Sequence, residues 1–210
     1  MRGNTRRAAT VGVAENSNSV VLVTVARVGA LLDRRRIDLT DRGLPTHPHH
    51  HEGSWAVGRY LNTPGARTLS LAEAVALVER VRASAARGAC EALDALAVAV
   101  PVPITSIAIR ACPVLPPTIE ERIADNRAQT IADSVMYREA LATAAEARGW
   151  SVYWYDRERV FRDAAEALGR QDINAFLSVM GRSIGPPWQA KHKLAAAAAL
   201  TATARPALRC

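Results

Sequence analysis

The densest concentration of reactive side chains is the run His47-Pro48-His49-His50-His51-Glu52. Imidazole nitrogens and a carboxylate suit zinc or another transition metal. Adjacent histidines in a loop point in different directions, so only some of them can share one ion. His49, His51 and Glu52 are the candidate metal ligands, set against the plainer reading of a solvated loop. A second pattern is Glu121, Asp125, Gln129, Asp133 and Tyr137, spaced every four residues. On a helix this spacing draws a slanted polar ridge, on which Asp125 and Asp133 could both face a cleft and hold a cation. The alternative is a solvent face of weak ion pairs. Asp133, together with Asp33, is the candidate catalytic acid.

Two cationic clusters stand apart from these. In Asp33-Arg34-Arg35-Arg36, strand geometry places Arg34 and Arg36 on one face and Asp33 and Arg35 on the other. This is either a strip that contacts phosphates or a charged edge that deters strand-to-strand aggregation. Lys191-His192-Lys193 opens the last helix, where cations oppose the helix dipole unless an anionic ligand sits there. Arg34, Arg36, Lys191, His192 and Lys193 are therefore the candidate nucleic-acid contacts. Trp150, Tyr153, Trp154 and Tyr155 offer faces for base stacking, although aromatic residues in strands more often pack a core. The chain has no P-loop, no G-x-G-x-x-G fingerprint and no C-x-x-C. These absences argue against nucleotide-dependent and dinucleotide-dependent chemistry.

Composition sets the frame. With 210 residues, 49% hydrophobic and 22% charged, the chain has the size and balance of one folded domain. No apolar run approaches the roughly 20 residues of a membrane-spanning helix. The Arg6-Arg7 pair is not followed by the apolar stretch of an export signal, because Glu15, Asn16 and Asn18 interrupt it. A cytoplasmic location follows, in keeping with three widely spaced cysteines, Cys90, Cys112 and Cys210. Residues 1–17 read as a flexible basic tail and residues 18–205 as a single domain. The formal charge of +7 favours anionic partners, nucleic acid above all. Without Arg2, Arg6 and Arg7 the balance falls from +7 to +4. The only lysines are Lys191 and Lys193, and arginine with abundant alanine is also what a GC-rich coding bias produces.

The elements that must position these residues are legible from periodicity. Residues 19–26 form a β-branched apolar run, Gly29 gives a turn, and residues 30–39 resume as a more polar strand, together an antiparallel hairpin. Residues 41–65 read as loop, with a short strand over 54–61. Ser70 and Glu73 have capping-box spacing and open an amphipathic helix to about Ala97, with a possible interruption at Gly88. Residues 104–109 are a second buried strand. Thr118 and Glu121 repeat the capping box and open a helix predicted to run to Arg148, where Gly149 stops it. An aromatic strand over 150–155 follows, then helices ending at Gly169 and Gly181. A final helix begins at Pro186-Pro187, and its alanine run 195–199 implies close packing on a neighbour. This order predicts an α/β fold: a mixed sheet that begins with an antiparallel hairpin and carries helices on its faces.

That order resembles the ribonuclease-H-like fold, and in particular Holliday-junction resolvases of the RuvC kind. The shared features are the apolar first strand with its hairpin, a long helix before an aromatic strand, and an alanine-rich closing helix introduced by Gly185-Pro186-Pro187-Trp188. The chain also resembles a bacterial family, without an assigned activity, that has the Asp33-Arg34-Arg35-Arg36 and Pro-Trp features. The resemblance to the nucleases implies carboxylates on the first strand, at the end of the strand after the first helix, and on the last helix. There they would hold two metal ions, Mg or Mn. On this reading the first strand, residues 19–26, offers Thr24 and Ala26. The later strand ends Ile109-Arg110-Ala111, and the last helix opens Lys191-His192-Lys193. The expectation is a nucleic-acid-associated protein of this architecture with catalysis absent or altered. The alternatives are a metal-dependent nuclease or phosphodiesterase using Asp33, Glu52, a loop histidine and Asp133 with Mg, Mn or Zn, and a non-catalytic scaffold that binds another protein. Whether it is an enzyme, and its oligomeric state, stay open.

Overall fold

The computed structural model describes residues 8–27, 29–49 and 69–204. Five strands form one mixed sheet in the order β3-β2-β1-β4-β5. They are β1 (Ala9–Asn16), β2 (Ser19–Ala26), β3 (Leu31–Asp38), β4 (Ile104–Arg110) and β5 (Ser151–Tyr155). β2 runs antiparallel to both β1 and β3, while β1, β4 and β5 are mutually parallel. The helices are α1 (Leu71–Ala99), α2 (Ile119–Ala124), α3 (Asn126–Glu146), α4 (Val160–Leu168), α5 (Ile173–Arg182) and α6 (Ala190–Ala204). One apolar core lies between the sheet and α1, α2 and α3. A second lies between the sheet and α4, α5 and α6. The α/β architecture expected from the sequence is present.

The first strand is not where the sequence reading put it. β1 occupies residues 9–16, inside the stretch expected to be a tail, and it is the central strand of the sheet. Its period-2 pattern is disguised by small residues. Ala9, Val11 and Val13 enter the α1 side of the core, whereas Thr10, Gly12 and Ala14 alternate onto the α6 side. Smallness is required there. A Cβ on Gly12 would lie 1.8 Å from the carbonyl oxygen of Ala195, so α6 rests directly on β1. The buried alanines 195–199 are the other half of that close approach.

A second difference concerns the helix expected over residues 118–148. It breaks at Asp125, which ends α2 and caps α3 by accepting the backbone N–H groups of Arg127 and Ala128. Asp125 is thus a cap rather than a cleft residue. Gln129, Asp133 and Tyr137 are buried, so the polar ridge faces inward and not toward solvent. α1, by contrast, continues through Gly88. The glycine is explained by contact, since a Cβ there would meet the Leu39 carbonyl oxygen at 2.2 Å. The expected short strand over 54–61 lies outside the described residues.

Candidate functional site

In open α/β sheets, ligand sites lie outside the carboxyl ends of the parallel strands. Here the ends of β1, β4 and β5 bring Glu15, Arg110 and Tyr155 to one rim. Glu15 continues the inward alternation of Val11 and Val13 toward α3, where Arg138 waits for it. Arg138 Nη2 lies 2.6 Å and Nε 2.8 Å from Glu15 Oε1, with both side chains about 5% exposed. Arg138 Nη1 also donates to the Ala111 carbonyl at 3.1 Å. Arg110 approaches the same Glu15 oxygen at 3.9 Å and is 38% exposed. The Tyr155 hydroxyl donates to the Val13 carbonyl. Burial, and then the charge of Glu15, push its pKa well above the ordinary tyrosine range, so the hydroxyl stays protonated.

From the α6 side the N-terminal turn contributes Lys191. Desolvation lowers its basicity, and Arg36 and Arg157 lower it further while Glu15 opposes them. Arg110 and Arg138 reach Glu15, and Arg36 and Arg157 lie within electrostatic range of Lys191, so five cationic side chains gather at this rim. Arg138 is spent on Glu15 and Ala111, and Arg110 approaches Glu15 only at 3.9 Å, which leaves four cations outside the tight pair. Such a crevice attracts anions.

The crevice does not fit the pair of metal ions that the nuclease resemblance implies. Hard divalent cations need several oxygen ligands. β1 turns only Thr10, Gly12 and Ala14 toward α6, β4 ends in Arg110, and α6 opens Lys191-His192-Lys193. Glu15, the acid buried at this rim, is held by Arg138, while Asp38 at the end of β3 and Asp156 just after β5 are exposed. Among the described residues, no group of three or more His, Cys, Asp or Glu side chains is placed to hold a metal ion.

The residues singled out in the sequence are distributed as follows. The arginine-bearing hairpin and the Pro-Trp turn meet. Arg34 Nη1 donates to the carbonyls of Gly185, at 2.8 Å, and Pro187, and Nη2 donates to that of Pro186. Arg34 is thus a structural tie, with three of its N–H donors on backbone carbonyls. Arg36 is exposed at the crevice, its Nε on the Ser19 hydroxyl at 2.7 Å. Lys193 Nζ donates to Ser178 Oγ at 3.0 Å. His192 turns inward: it is 8% exposed, stacks on Trp188 and accepts the Gln189 N–H through Nδ1. Burial, and then Arg34, lower its basicity. An inward neutral ring is not presented to a phosphate. Of the aromatic group, Trp150 and Tyr155 are core residues and Trp154 is 43% exposed on the edge strand β5.

Asp33 pairs with Arg35 through both oxygens, at 2.8 and 2.6 Å, on the other edge strand, β3. Asp133 instead meets His49. One carboxylate oxygen accepts the His49 backbone N–H at 3.0 Å and lies 2.7 Å from its Nδ1, with both side chains buried. His49 Nε2 is buried and has no hydrogen-bond partner among the described residues. His47 lies 2.5 Å from Ser17 Oγ and 2.8 Å from Thr46 Oγ1, and Tyr137 donates to the Thr46 carbonyl. These contacts staple the 46–49 segment to the β1–β2 hairpin and α3. His51 and Glu52 lie outside the described residues. The sequence reading missed Glu15, Arg110, Arg138 and Arg157 as site residues. A carboxylate at the end of a period-2 run was the available signal for Glu15, and nothing local marks Arg138.

A sheet of order 3-2-1-4-5 in which only β2 is antiparallel, with helices on both faces, is ribonuclease-H-like architecture. Fold and crevice together define an α/β protein of that architecture whose strand-end site is cationic. Among solved structures the chain is similar to Thermus thermophilus RuvC in complex with a Holliday junction substrate. The identity is 16% and the TM-score 0.48, over 92% of this chain and 91% of that one. It is also similar to the Thermus thermophilus RuvC structure, at 17% identity and a TM-score of 0.45, over 92% of each chain. No protein-family model and no curated protein matches the chain.

Proposed function

We propose that the protein binds the phosphate backbone of nucleic acid in the strand-end crevice, and that it does so without the two-metal hydrolysis associated with this architecture. The observation that carries this reading is the exchange of charge at the rim. Cations stand at the strand ends, and the acid buried among them, Glu15, is paired with a buried arginine. Arg36, Arg110, Arg157 and Lys191 contact phosphate oxygens. A cation cluster of this kind recognises backbone charge and positions the strand, without reading base sequence. Among the described residues no helix is long and apolar enough to cross a membrane, and Cys90 and Cys112 are free thiols. Both support placing the protein in the reducing cytoplasm.

The test is fluorescence anisotropy with labelled four-way junction, duplex and single-stranded DNA across a salt series, in magnesium and in EDTA. Binding should weaken steeply with salt and be indifferent to chelation. Absence of binding to every form at low salt, or binding that EDTA abolishes, overturns the proposal.

A further inference from the structure

At the tip of the β1–β2 hairpin a serine meets a histidine. Asn16 pairs with Ser19, so Ser17 and Asn18 form a two-residue turn at the carboxyl end of the central strand. Ser17 Oγ lies 2.5 Å from His47 Nε2, and His47 Nδ1 lies 2.8 Å from Thr46 Oγ1. With the Ser17 hydroxyl donating to Nε2, the ring proton sits on Nδ1 and Thr46 Oγ1 accepts it. A hydroxyl held against a base whose ring is itself oriented by a third group is the arrangement of an activated nucleophile. Both side chains are half-buried, so a substrate can reach them. The backbone also sets Ser17 apart. Its φ is 54°, and among the described residues it is the one non-glycine with a positive φ. Glycine meets that demand without strain and is favoured at the first position of such a turn. A strained residue kept where glycine would be easier marks a position held for its side chain.

Position relates this pair to the crevice. Glu15 and Ser19 are each two residues from Ser17, so their Cα atoms lie within about 7 Å of it. Arg110 approaches Glu15 at 3.9 Å, and Arg36 donates to Ser19 Oγ at 2.7 Å. The serine therefore stands between two of the cations assigned to phosphate contact. Cations in that place would hold a phosphodiester against the nucleophile and stabilise the charge on its oxygens in the transition state.

We infer that Ser17 is a nucleophile toward the phosphodiesters bound in the crevice, with His47 as its base, so that the protein opens a strand through a covalent phosphoserine link. This rests on the crevice being the backbone site. Ser17 Oγ bonds to phosphorus as one P–O ester bond breaks. The serine proton passes to His47 Nε2 and from there to the departing oxygen, which leaves as a hydroxyl. That hydroxyl can return to phosphorus, so the step is reversible. The experiment uses the whole protein in EDTA and the DNA form that binds tightest, with sulfur in place of the 3′- or the 5′-bridging oxygen at several phosphodiesters. Attack then expels a thiolate, a poor nucleophile toward phosphorus, and the strand stays on the protein in denaturing gels. The expected result is an adduct that mass spectrometry maps to Ser17. Ser17→Gly, which suits the positive φ and whose folding thermal melting confirms, should form none. His47→Gln should form it about 100-fold more slowly, the lower end of what a general base contributes. DNA that binds by anisotropy yet gives no adduct with either sulfur position, or an adduct that survives in Ser17→Gly, overturns the nucleophile and leaves the crevice standing. Failure of every DNA form to bind at low salt overturns both.

Discussion

Replacing Lys191 by alanine isolates one crevice charge at little structural risk. Lys191 is exposed in the first turn of α6, where a cation opposes the helix dipole and alanine is the best helix former. The variant should melt at or above the wild-type temperature. Its effect should appear in the salt dependence of binding. Each phosphate neutralised contributes about −0.9 to the slope of log K against log salt. The four cations outside the tight Glu15–Arg138 pair (Arg36, Arg110, Arg157 and Lys191) therefore set a slope of about −3.6. Raising salt from about 50 to 200 mM should then cost the wild type roughly 150-fold in affinity, and Lys191→Ala, at a slope of about −2.7, roughly 40-fold. Anisotropy titrations of a duplex at several salt concentrations give both slopes. An unchanged slope in a folded Lys191→Ala protein would refute the assignment of Lys191 to phosphate contact.

Three further outcomes test how the site is held. Arg138→Met leaves Glu15 buried without its main partner, a change that costs about 3–5 kcal/mol; urea unfolding should show this loss, and adding Glu15→Gln should recover much of it. A single-variant loss below about 1 kcal/mol would contradict the buried pair. Gly12→Ala forces a methyl group against the Ala195 carbonyl at 1.8 Å, and because the obstruction is backbone, α6 must lift from the sheet. The cost should exceed the usual overpacking range of about 1–3 kcal/mol, and a soluble variant of wild-type stability would mean that α6 does not lie on β1 as described. His192 should make stability pH-dependent. The fold keeps its ring neutral, accepting from Gln189, and lowers its pKa from the ordinary 6.5. As pH falls through about 6.5 the unfolded chain takes up the proton first, so stability present at neutral pH is progressively lost on acidification. His192→Asn should flatten that part of the urea-midpoint profile, and a profile identical to wild type would assign the pH dependence to other groups.

Local physics was readable without coordinates. The capping boxes at Ser70-Glu73 and Thr118-Glu121 form as reciprocal hydrogen bonds, and Gly169 ends α4 in the left-handed conformation, because each depends on residues three or four positions apart. The hairpin of β2 and β3, the strands at 104 and 151, and the alanine face of α6 were legible for the same reason, through periodicity. What the sequence could not supply was anything whose cause lies far along the chain. β1 hides its strand pattern because Gly12 and Ala14 are small to admit a helix about 180 residues later. Asp125 looks like one step of a ridge until the break between α2 and α3 makes it a cap. Glu15 and Arg138 are separated by 123 positions, and only the parallel pairing of β1 with β4 beneath α3 brings them, Arg110 and Lys191 to one rim. By itself, the sequence determined the sign of the charge and those elements whose periodicity is local, but not β1 or the break between α2 and α3. Tertiary structure decided which cations share a crevice, because electrostatic attraction depends on distance in space and distance along the chain does not report it.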